Sequence, residues 1–396
     1  MFSRRALSGN DVLAIAAMDY HAGRFAEAER GCRTALKLLP DDAGVLYLLG
    51  LAELQLGSVE SGVARIETAL AQDPGRIDRA CGFAAALARL DKLEEAVAVL
   101  GQAAKRAPDS AQVYGQLVGA ARALADGPAS REGITTAVEA TDHGSVSAVV
   151  CSADPRKAER IREHYATLFD GHSFEMVQIA DARSLSEGYN RGFAQTSGDI
   201  VIFSHDDIEI VPRDFPARLL RHLSTHDIVG VAGTSRLIGA NWNSAGWPWL
   251  HGCVAHAAAR DHGFFFHCFG PPPRAAVQAV DGLFIAAKRR VCEAIAFDAD
   301  TFDGFHLYDL DFSYRAFLTS FRIAIAWDIP IIHASSGRLD AAWQKYAQRF
   351  AAKYRAQNIS CLPPPAVSWP IVQFAERTRM VAFHRAMSVA QDAQVQ

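Results

Sequence analysis

The segment I-V-I-F-S-H-D-D, from Ile200 to Asp207, joins an apolar strand pattern directly to a cluster of ionisable side chains. Two further strand patterns precede it, at 146–151 and 174–179, and between them lies a helical pattern, 155–169, with proline in its first turn. This alternation of strands and helices is typical of a mostly parallel sheet covered by helices. The sequence therefore predicts an α/β domain that begins near residue 146.

Polar and acidic side chains follow each of these three strands. In sheets of this kind, ligands bind beyond the carboxyl ends of the strands. Two carboxylates and an imidazole at a strand end can hold a divalent metal ion, although an aspartate after a strand is often only a turn residue or a helix cap. If residues 205–207 stay extended, the side chain of Asp206 points away from those of His205 and Asp207. The residues concerned are Ser152 to Asp154, then Asp181, then His205, Asp206 and Asp207.

Further motifs follow in order along the chain. Residues 184–192 read S-L-S-E-G-Y-N-R-G, just before the third strand. Val280-Asp281-Gly282 begins an apolar run to Ala287, and residues 305–315 read F-H-L-Y-D-L-D-F-S-Y-R. A last strand pattern, 323–327, leads to Ile331-Ile332-His333.

The order and spacing of these motifs resemble the family-2 glycosyltransferases of the GT-A fold, in a divergent branch whose Asp-x-Asp metal motif is replaced by His-x-Asp. The resemblance covers residues 146–337. It implies a Rossmann-like α/β domain with a mixed sheet, and transfer of a sugar, with inversion, from a nucleotide sugar. A UDP-sugar is the favoured donor.

The resemblance also implies a metal site. Asp207 is the expected metal ligand, and His205 takes the place of the family's first aspartate, with contact to the donor's ribose or phosphate as its alternative role. His333 resembles the histidine that completes metal binding in many of these enzymes, and a satisfied buried side chain is the alternative for it. The expected cofactor is Mn²⁺ or Mg²⁺.

Residues 309–315, D-L-D-F-S-Y-R, resemble the family's acidic catalytic motif. That motif is normally Glu-Asp, with an arginine six residues after the aspartate. Asp309 has this distance from Arg315 and is the preferred base, whereas Asp311 is the rival catalytic carboxylate or a helix cap. Tyr308 stands where the family has glutamate, so a neighbour that would tune the base is missing.

The remaining site residues are expected to contact substrate. Asn190 lies in an Asn-x-Gly that resembles the family's helix before the metal strand, and Asp281 with the flexible Gly282 resembles the position that approaches donor sugar and acceptor. The residues expected near the nucleotide or the rest of the donor are Ser152, Asp154, Asp181, His205 and Asp206.

A 34-residue repeat occupies the N-terminal third. Pro40, Pro74 and Pro108 are 34 residues apart, and one alanine and one further small residue of each unit keep the same step. Gly23, Gly57 and Asp91 occupy equivalent positions in the three units. With apolar residues at helical spacing, each unit reads as two helices. These spacings resemble the tetratricopeptide repeat, with units 9–42, 43–76 and 77–110 and a capping helix at 111–125. Such a stack is expected to bind a peptide or protein partner, or to serve for docking or dimerisation.

Composition excludes several classes of protein. The 396 residues carry a formal charge of −4, half of them are apolar and 21% are charged, which favours a globular protein without general affinity for nucleic acid. Seven cysteines without a C-x-x-C pair favour a reducing compartment, and no apolar run is long enough to span a membrane. We therefore expect a cytoplasmic protein.

Four parts are predicted along the chain: a repeat domain (9–125), a linker (126–145), the GT-A domain (146–337) and a helical C-terminal extension (338–396). The last 56 residues carry a local charge of +5, and residues 369–389 are expected to form an amphipathic helix. This helix would contact the inner face of a membrane peripherally, or dock on another subunit or on the repeats.

Residues 239–270 are unusually rich in Trp and His, with two cysteines. A zinc site is one interpretation, but the spacings fit no familiar ligand pattern. The stretch falls where the acceptor loop belongs in the GT-A fold, and tryptophans beside polar residues suit stacking on sugar rings or packing of the loop itself.

The leading hypothesis is a metal-dependent inverting glycosyltransferase, whose acceptor is a protein, a peptide or a glycan and whose repeats recruit the acceptor or a partner. The alternative is a scaffold with an inactive glycosyltransferase-like domain, because Tyr308 and His205 replace two family acids. A nucleotidyltransferase is disfavoured, since no Gly-rich phosphate loop with Arg and Lys lies near Ser152.

Overall fold

A computed structural model describes residues 7–127, 144–257, 263–270, 272–273, 275–335, 339–361 and 370–392. The chain divides into two compact units, with the boundary between Ala123 and Leu124. Most of the predicted linker, 128–143, lies outside the described residues.

The N-terminal unit is built from helix pairs. Within residues 7–127 the first helices of successive pairs begin at Gly9, Ala43 and Ile77, with a seventh helix beginning at Ala111, which is the 34-residue step of the sequence repeat. The helices are α1 (Gly9–His21), α2 (Phe25–Leu38), α3 (Ala43–Gln55), α4 (Val59–Gln72), α5 (Ile77–Arg89), α6 (Leu93–Arg106) and α7 (Ala111–Asp126).

The repeated residues have the physical roles expected of them. Gly23, Gly57 and Asp91 adopt the left-handed conformation, with φ of 76°, 85° and 60°, in the turn inside each helix pair. The small residues of the second helices, Ala28, Gly62 and Ala96, are buried, and each of these helices ends two residues before a proline. This unit is a tetratricopeptide-repeat solenoid, as the sequence predicted.

The second unit is centred on a mixed sheet of six described strands, in the order β11-β5-β10-β3-β1-β2. Neighbouring strands in this order are parallel, except that β10 is antiparallel to both β5 and β3. The strands are β1 (Val146–Cys151), β2 (Phe174–Ile179), β3 (Ile200–Ser204), β5 (Ile228–Gly230), β10 (Phe284–Lys288) and β11 (Ile323–Ile325). Helices of this unit are α8 (Pro155–Leu168), α9 (Leu185–Phe193), α10 (Phe215–Thr225), α11 (Arg289–Ala294) and α12 (Tyr308–Leu318).

The register of this sheet brings separate sequence motifs to one edge. In β1, Val150 pairs with Ser204 and Cys151 with Ile179, so the first three strands end at the same level. Because β10 is antiparallel to β3 and Phe284 pairs with Ser204, the residues before β10 also reach this edge. The predicted continuous run 280–287 is therefore interrupted: Asp281, Gly282 and Leu283 connect strands of two different sheets.

A second sheet extends the edge. Its order is β13-β8-β7-β12-β4, with β6 pairing β7 and β9. The strands are β4 (Ile208–Ile210), β6 (Ala232–Thr234), β7 (Leu250–Ala257), β8 (Phe264–Gly270), β9 (Ala279–Val280), β12 (Ile331–His333) and β13 (Ile371–Phe374). Much of the stretch expected to be an acceptor loop is thus the hairpin β7–β8, which follows a 3₁₀ turn at Trp242–Ala245.

The C-terminal extension contains α13 (Ala341–Lys353) and α14 (Arg377–Asp392). The single helix predicted for 369–389 is wrong at its start, because residues 371–374 form β13 and pair with β8. There Val372 and Phe374 are buried while Ile371 and Gln373 are exposed, the alternation of a strand rather than the period of a helix. No helix among the described residues is both long and apolar enough to cross a bilayer.

The fold class is confirmed: helical repeats precede a Rossmann-like α/β domain with mixed sheets and a largely helical extension. The six-stranded sheet is covered by one contiguous core that includes residues from α8, α10, α12 and α13. This core fixes the strand ends on which the candidate site is built.

Candidate active site

Three ionisable side chains from separate strand ends converge in the α/β unit. Nε2 of His333 lies 3.2 Å from Oδ1 of Asp207 and 3.2 Å from Nδ1 of His205. Asp207 and His333 are each 7% exposed. The cluster could hold a metal ion, since one ligand atom from each residue lies within 4.8 Å of the others.

Strand pairing explains why these residues meet. His205 follows β3 directly, and Asp207 precedes β4. Antiparallel pairing of β4 with β12 places Ile208 opposite His333, and the amide of Ala334 donates to the carbonyl of Asp207 at 2.9 Å. The three side chains therefore depend on backbone hydrogen bonds between residues more than 120 positions apart.

Tyr308 determines how His205 presents its nitrogen atoms. The Tyr308 hydroxyl donates to the carbonyl of Gly282 at 3.1 Å, so its oxygen is left to accept from Nε2–H of His205, 3.0 Å away. In neutral His205 the lone pair is then on Nδ1, the atom that faces His333. A metal-binding histidine typically donates its other ring N–H in this way.

The geometry and protonation of the cluster fit a divalent metal ion. Two ligand atoms bound at about 2.1 Å and at right angles lie about 3 Å apart, close to the separations in this cluster. Burial by itself would raise the pKa of Asp207, but hydrogen bonds from His333 and Ser335 hold that pKa well below its usual range. Burial and the neighbouring His333 both lower the pKa of His205. The donors are thus an ionised carboxylate and an imidazole that is neutral at neutral pH.

Asp309 lies at the start of α12, beside the cluster. Leu307, two residues earlier, is buried and has a φ of 64°, an unfavourable conformation for a bulky side chain that turns the chain into the helix. Oδ2 of Asp309 accepts from the amide of Gly282 at 2.8 Å. Burial raises the pKa of Asp309 to about 7, and the Asp281 carboxylate acts in the same direction. Such a pKa suits a general base near neutral pH.

Gly282 is required by close packing. A Cβ atom on this residue would lie 2.3 Å from the Tyr308 hydroxyl and 2.8 Å from Cβ of Asp309. Its neighbour Asp281 accepts from Nε1 of Trp242 at 3.0 Å and from the amide of Leu283 at 3.0 Å. The Asp281-Gly282 connection therefore holds Tyr308 and Asp309 in place.

Asp311 is not brought to this site. Its fully buried carboxylate forms ion pairs with Arg315 at 2.8 Å and Lys353 at 2.5 Å, and accepts from the Tyr354 hydroxyl at 2.6 Å. Both of its oxygens are thus engaged within the protein. The arginine that the sequence motif associates with Asp309 is paired with Asp311 instead.

At the end of β1, Ser152 donates to Asp206 at 2.6 Å, and Lys157 lies 3.5 Å from the same carboxylate. Asp206 accordingly points away from the Asp207 cluster. Asp154 accepts from the amides of Arg156 and Lys157 and is the N-cap of α8. These residues form one polar group that is separate from the metal cluster.

Two other predicted residues are occupied by local contacts. Asp181, after β2, is exposed and pairs with Arg191 at 2.7 Å. The Asn190 side chain donates to the carbonyl of Phe297 at 2.8 Å and accepts from its amide at 2.9 Å, which fastens α9 to the segment before α12. Asp181 is thus an exposed residue in a surface ion pair, whereas Asn190 has a structural contact.

A cavity of about 470 Å³ opens beside Asp309 and the metal cluster. Strand alternation brings Val254 and His256 of β7, with His267 and Phe269 of β8, to its wall, while Cys253 and Cys268 lie on the opposite face with sulfur atoms 3.6 Å apart. The histidines of this hairpin join no metal cluster of three or more ligands among the described residues, so the zinc interpretation gains no support.

The side chains around the cavity form a closed series of contacts, here called the cavity ring. From His333 it passes to His256 and His267, with ring centroids 5.5 and 5.0 Å apart. His267 contacts Phe269, and the rings of Phe269 and Trp242 have centroids 4.7 Å apart. Nε1 of Trp242 donates a hydrogen bond to the Asp281 carboxylate. The members are His205, His333, His256, His267, Phe269, Trp242, Asp281, Gly282 and Tyr308.

Sequence reasoning did not assign roles to Tyr308, Trp242, His256 or His267. For the two histidines no clear signal was present, because residues 250–257 (L-H-G-C-V-A-H-A) and 264–270 (F-F-F-H-C-F-G) do not alternate between apolar and polar side chains. Tyr308 was noted only as a missing glutamate. Its contacts depend on the approach of α12 to β3 and β10, which no local pattern reveals.

The fold and this site define the class of protein. A Rossmann-like sheet carries, at its strand ends, a cluster of His205, Asp207 and His333 that is compatible with a divalent metal ion, and the Asp309 carboxylate lies beside it. Residues 147–354 match the family model described as "Glycosyltransferase like family", which is just over half of the chain. The chain belongs to this glycosyltransferase-like family. No curated protein matches it significantly.

Among the solved structures similar to this chain are tetratricopeptide-repeat proteins. TTC0263 of Thermus thermophilus is 25% identical over 30% of this chain and 66% of its own, with a TM-score of 0.27. The first repeat domain of Spaghetti (RPAP3), solved with an HSP90 peptide, is 18% identical over 30% of this chain and 97% of its own, with a TM-score of 0.27. The Sgt2 repeat domain of Aspergillus fumigatus is 15% identical over 34% of this chain and 89% of its own, with a TM-score of 0.28. The assignment of repeats rests on the helix pairs themselves.

Proposed function

We propose that this protein is a metal-dependent inverting glycosyltransferase that moves a sugar from a nucleotide sugar, with UDP as the favoured nucleotide, to a hydroxyl-bearing acceptor. The observation that carries the proposal is the position of Asp309, a carboxylate of raised pKa in a cavity wall that also includes His205 and His333. Inverting transfer by direct displacement needs a base for the acceptor and electrophilic help for the leaving diphosphate, side by side.

Asp309 is the proposed base. Its ionised form would take the proton of the acceptor hydroxyl as that oxygen attacks the anomeric carbon, while the bond from that carbon to the diphosphate oxygen breaks. The Gly282 amide donates to Oδ2 of this carboxylate, so the side chain has a fixed direction. Asp311 is disfavoured in this role because its carboxylate is buried among Arg315, Lys353 and Tyr354.

His205, Asp207 and His333 would hold the divalent ion. When bound, the ion supplies positive charge that stabilises the leaving diphosphate. Two imidazoles and one carboxylate favour Mn²⁺ over Mg²⁺, because Mg²⁺ prefers oxygen ligands throughout. Tyr308 orients His205 for this purpose.

The nucleotide would bind at the ends of β1 and β2, near Ser152, Asp154, Asp206 and the exposed Asp181. These positions surround the carboxyl edge of parallel strands, where nucleotides bind in sheets of this type. Asn190 contributes indirectly, through its contacts with Phe297. Asp281 and Gly282 would lie between donor sugar and acceptor.

The repeats would recruit a protein acceptor or a partner. Solenoids of this kind present an extended concave surface, and Ile15 and Met18, one turn apart on α1, are 47% and 69% exposed.

The proposal includes a cytoplasmic location, because nucleotide sugars and reduced cysteines are both found in the cytoplasm. It also includes, as a secondary part, peripheral membrane contact of the basic C-terminal segment.

A donor screen tests the proposal. The full chain is incubated with Mn²⁺ and a panel of nucleotide sugars, with cell extract as acceptor, and release of nucleoside diphosphate and the mass of the product are measured. Metal-dependent release from one donor, lost in Asp309→Asn, supports the proposal. Metal-dependent UDP binding without release from any donor would instead favour the inactive scaffold.

A further inference from the structure

Ser313 is a fully buried polar residue that the proposed chemistry does not use. It lies inside α12, one helical turn after Asp309, and its side chain is 0% exposed. Serine is not favoured in the interior of a helix, because its hydroxyl group competes for hydrogen bonds with nearby backbone groups. We therefore looked for a contact of Ser313 outside its own helix.

The Ser313 hydroxyl makes two hydrogen bonds of opposite sense. Its Oγ lies 2.7 Å from the carbonyl oxygen of Asp309, which can only accept, so the hydroxyl donates there. The same Oγ accepts from the amide of Val280 at 3.2 Å. Val280 directly precedes Asp281, so this hydroxyl joins α12 to the connection 280–282.

Ser313 and Asp309 attach α12 to this connection at two matched points. The amide of Gly282 donates to Oδ2 of Asp309 at 2.8 Å, and the amide of Val280, two residues earlier, donates to Ser313. The amide between them donates to the carbonyl of Ala232 instead, at 2.9 Å, as expected for an extended segment in which successive peptide groups point in opposite directions. On the helix, Asp309 and Ser313 are four residues apart and share one face. The spacing of the two donors thus matches that of the two acceptors.

The hydroxyl of Ser313 determines where Asp309 lies along this connection. If the hydroxyl is removed, the buried amide of Val280 loses its acceptor in α12, and the pairing of helix and connection is no longer fixed at that point. A displacement of about 1 Å can cost a catalytic group about 100-fold in rate. The hydrogen bond from Gly282 to Asp309 depends on the same alignment.

We propose that Ser313 is a positioning residue, which keeps the Asp309 carboxylate at the Gly282 amide in the cavity wall. This inference rests on the proposed transferase function and adds to it a residue that acts through Asp309. Its role is distinct from that of Tyr308, whose hydroxyl contacts the carbonyl of Gly282 and links it to the metal cluster.

Kinetics of the full chain give the first test. Ser313→Ala should lower kcat about 10- to 100-fold and leave the Kd values of Mn²⁺ and UDP unchanged, because the hydrogen bonds of Ser313 lead to Asp309 and Val280 and not to the metal cluster. Thr319→Ala is the matched control, since it removes an exposed hydroxyl that bonds carbonyls of α12 itself. Its kcat should equal that of the wild type.

The amide of Gly282 gives a second test that does not depend on activity. Labelling with ¹³C-carbonyl aspartate and ¹⁵N-glycine leaves one NMR signal for each of the four Asp-Gly pairs of the sequence, and the signal missing from Gly282→Ala is that of Gly282. Because this amide donates to Asp309, its chemical shift should follow ionisation of that carboxyl group, whose pKa is raised to about 7.

The Gly282 signal should titrate differently in Ser313→Ala. The hydrogen bond from Gly282 favours the ionised form of Asp309 and lowers its pKa, so a weakened bond should give a smaller pH-dependent shift with a midpoint at higher pH. The other titratable groups that interact with Asp309 are the same in both proteins: Asp281, Tyr189 and Tyr308.

Two outcomes would overturn the inference: wild-type kcat in folded Ser313→Ala, or a low kcat with an unchanged Gly282 titration. If Ser313→Ala does not fold, Ser313→Cys, whose thiol has a similar shape and is a weak acceptor, is measured in the same two ways. A wild-type chain that releases no nucleoside diphosphate from any donor contradicts the proposed function instead, and the Gly282 titration still decides whether Ser313 positions Asp309.

Discussion

The hydroxyl of Tyr308 lies 3.0 Å from Nε2 of His205 and 3.1 Å from the carbonyl of Gly282. One side chain therefore links the candidate metal cluster to the loop that holds the candidate base. We propose that Tyr308, which stands where a glutamate was expected before Asp309, positions His205 and does not act as an acid or a base. Burial raises the pKa of the Tyr308 hydroxyl well above its usual range, so this hydroxyl stays neutral and can donate a hydrogen bond.

Tyr308→Phe should weaken metal binding. The variant removes the acceptor for His205 Nε2–H while keeping the ring, and loss of such an outer hydrogen bond typically costs about 10- to 100-fold in metal affinity. Mn²⁺ titration followed by electron paramagnetic resonance measures the effect. Tyr314→Phe, on the same helix but packed on Phe317 and Tyr354, is the matched control. Equal Mn²⁺ affinity in both variants would contradict the role given to Tyr308.

Transfer should depend on pH through Asp309. A base must be ionised, and the pKa of Asp309 is raised to about 7, so the rate is expected to rise with pH up to about 7 and then level off. Asp309→Asn should lower kcat about 100-fold or more and leave UDP binding unchanged. A variant with wild-type kcat would exclude Asp309 as the base.

The same residue should affect stability in the opposite sense. Because the folded-state pKa of Asp309 is above its unfolded value, the folded state binds the proton more tightly, and this stabilisation is complete below about pH 4 and is lost as the pH rises to about 7. Asp309→Asn, which cannot ionise, is expected to melt above wild type at pH 8 and closer to wild type at pH 5. Thermal unfolding at both values measures this, and an identical shift at the two would argue against the raised pKa.

Asp311→Asn should reduce stability and not the chemistry. The substitution leaves Lys353 and Arg315 against a neutral group, and breaking a buried ion pair from one side typically costs about 3–5 kcal/mol. Urea unfolding measures the loss, with the exposed pair Asp303–Arg349 as control: Asp303→Asn should change the free energy of unfolding much less than Asp311→Asn. Folded Asp311→Asn should retain kcat, and a kcat as low as that of Asp309→Asn would reverse the assignment of the base.

Gly282→Ala should impair both halves of the site. The added Cβ would lie 2.3 Å from the Tyr308 hydroxyl, so Tyr308 and Asp309 must move. We expect weaker Mn²⁺ binding together with a lower kcat, since small displacements of catalytic groups are costly. Gly119→Ala on α7, where an added Cβ meets open space, is the control. Unchanged metal binding in Gly282→Ala would show that the connection tolerates a side chain.

Local sequence was sufficient for much of the fold. The 34-residue period predicted each helix pair because every pair repeats the same short-range requirements: a left-handed turn residue, small residues between helices and a proline after the second helix. Strands β1, β2 and β3 were likewise predicted from short β-branched runs. In residues 369–389 the sequence predicted one helix, but residues 371–374 form a strand because they pair with β8.

For the site, the sequence by itself determined which chemical groups are available: His205, Asp207 and His333 at strand ends, and the pair Asp309 and Asp311 in the motif that begins α12. It preferred Asp309 to Asp311 only by resemblance, because the sequence does not show which face of the helix is turned toward the cavity. Tertiary structure separated them by directing Asp309 to Gly282 and the cavity and Asp311 to Lys353 and Tyr354. It also brought Tyr308, His256 and His267 to the cavity, since strand register and helix packing, not sequence spacing, decide which distant side chains meet.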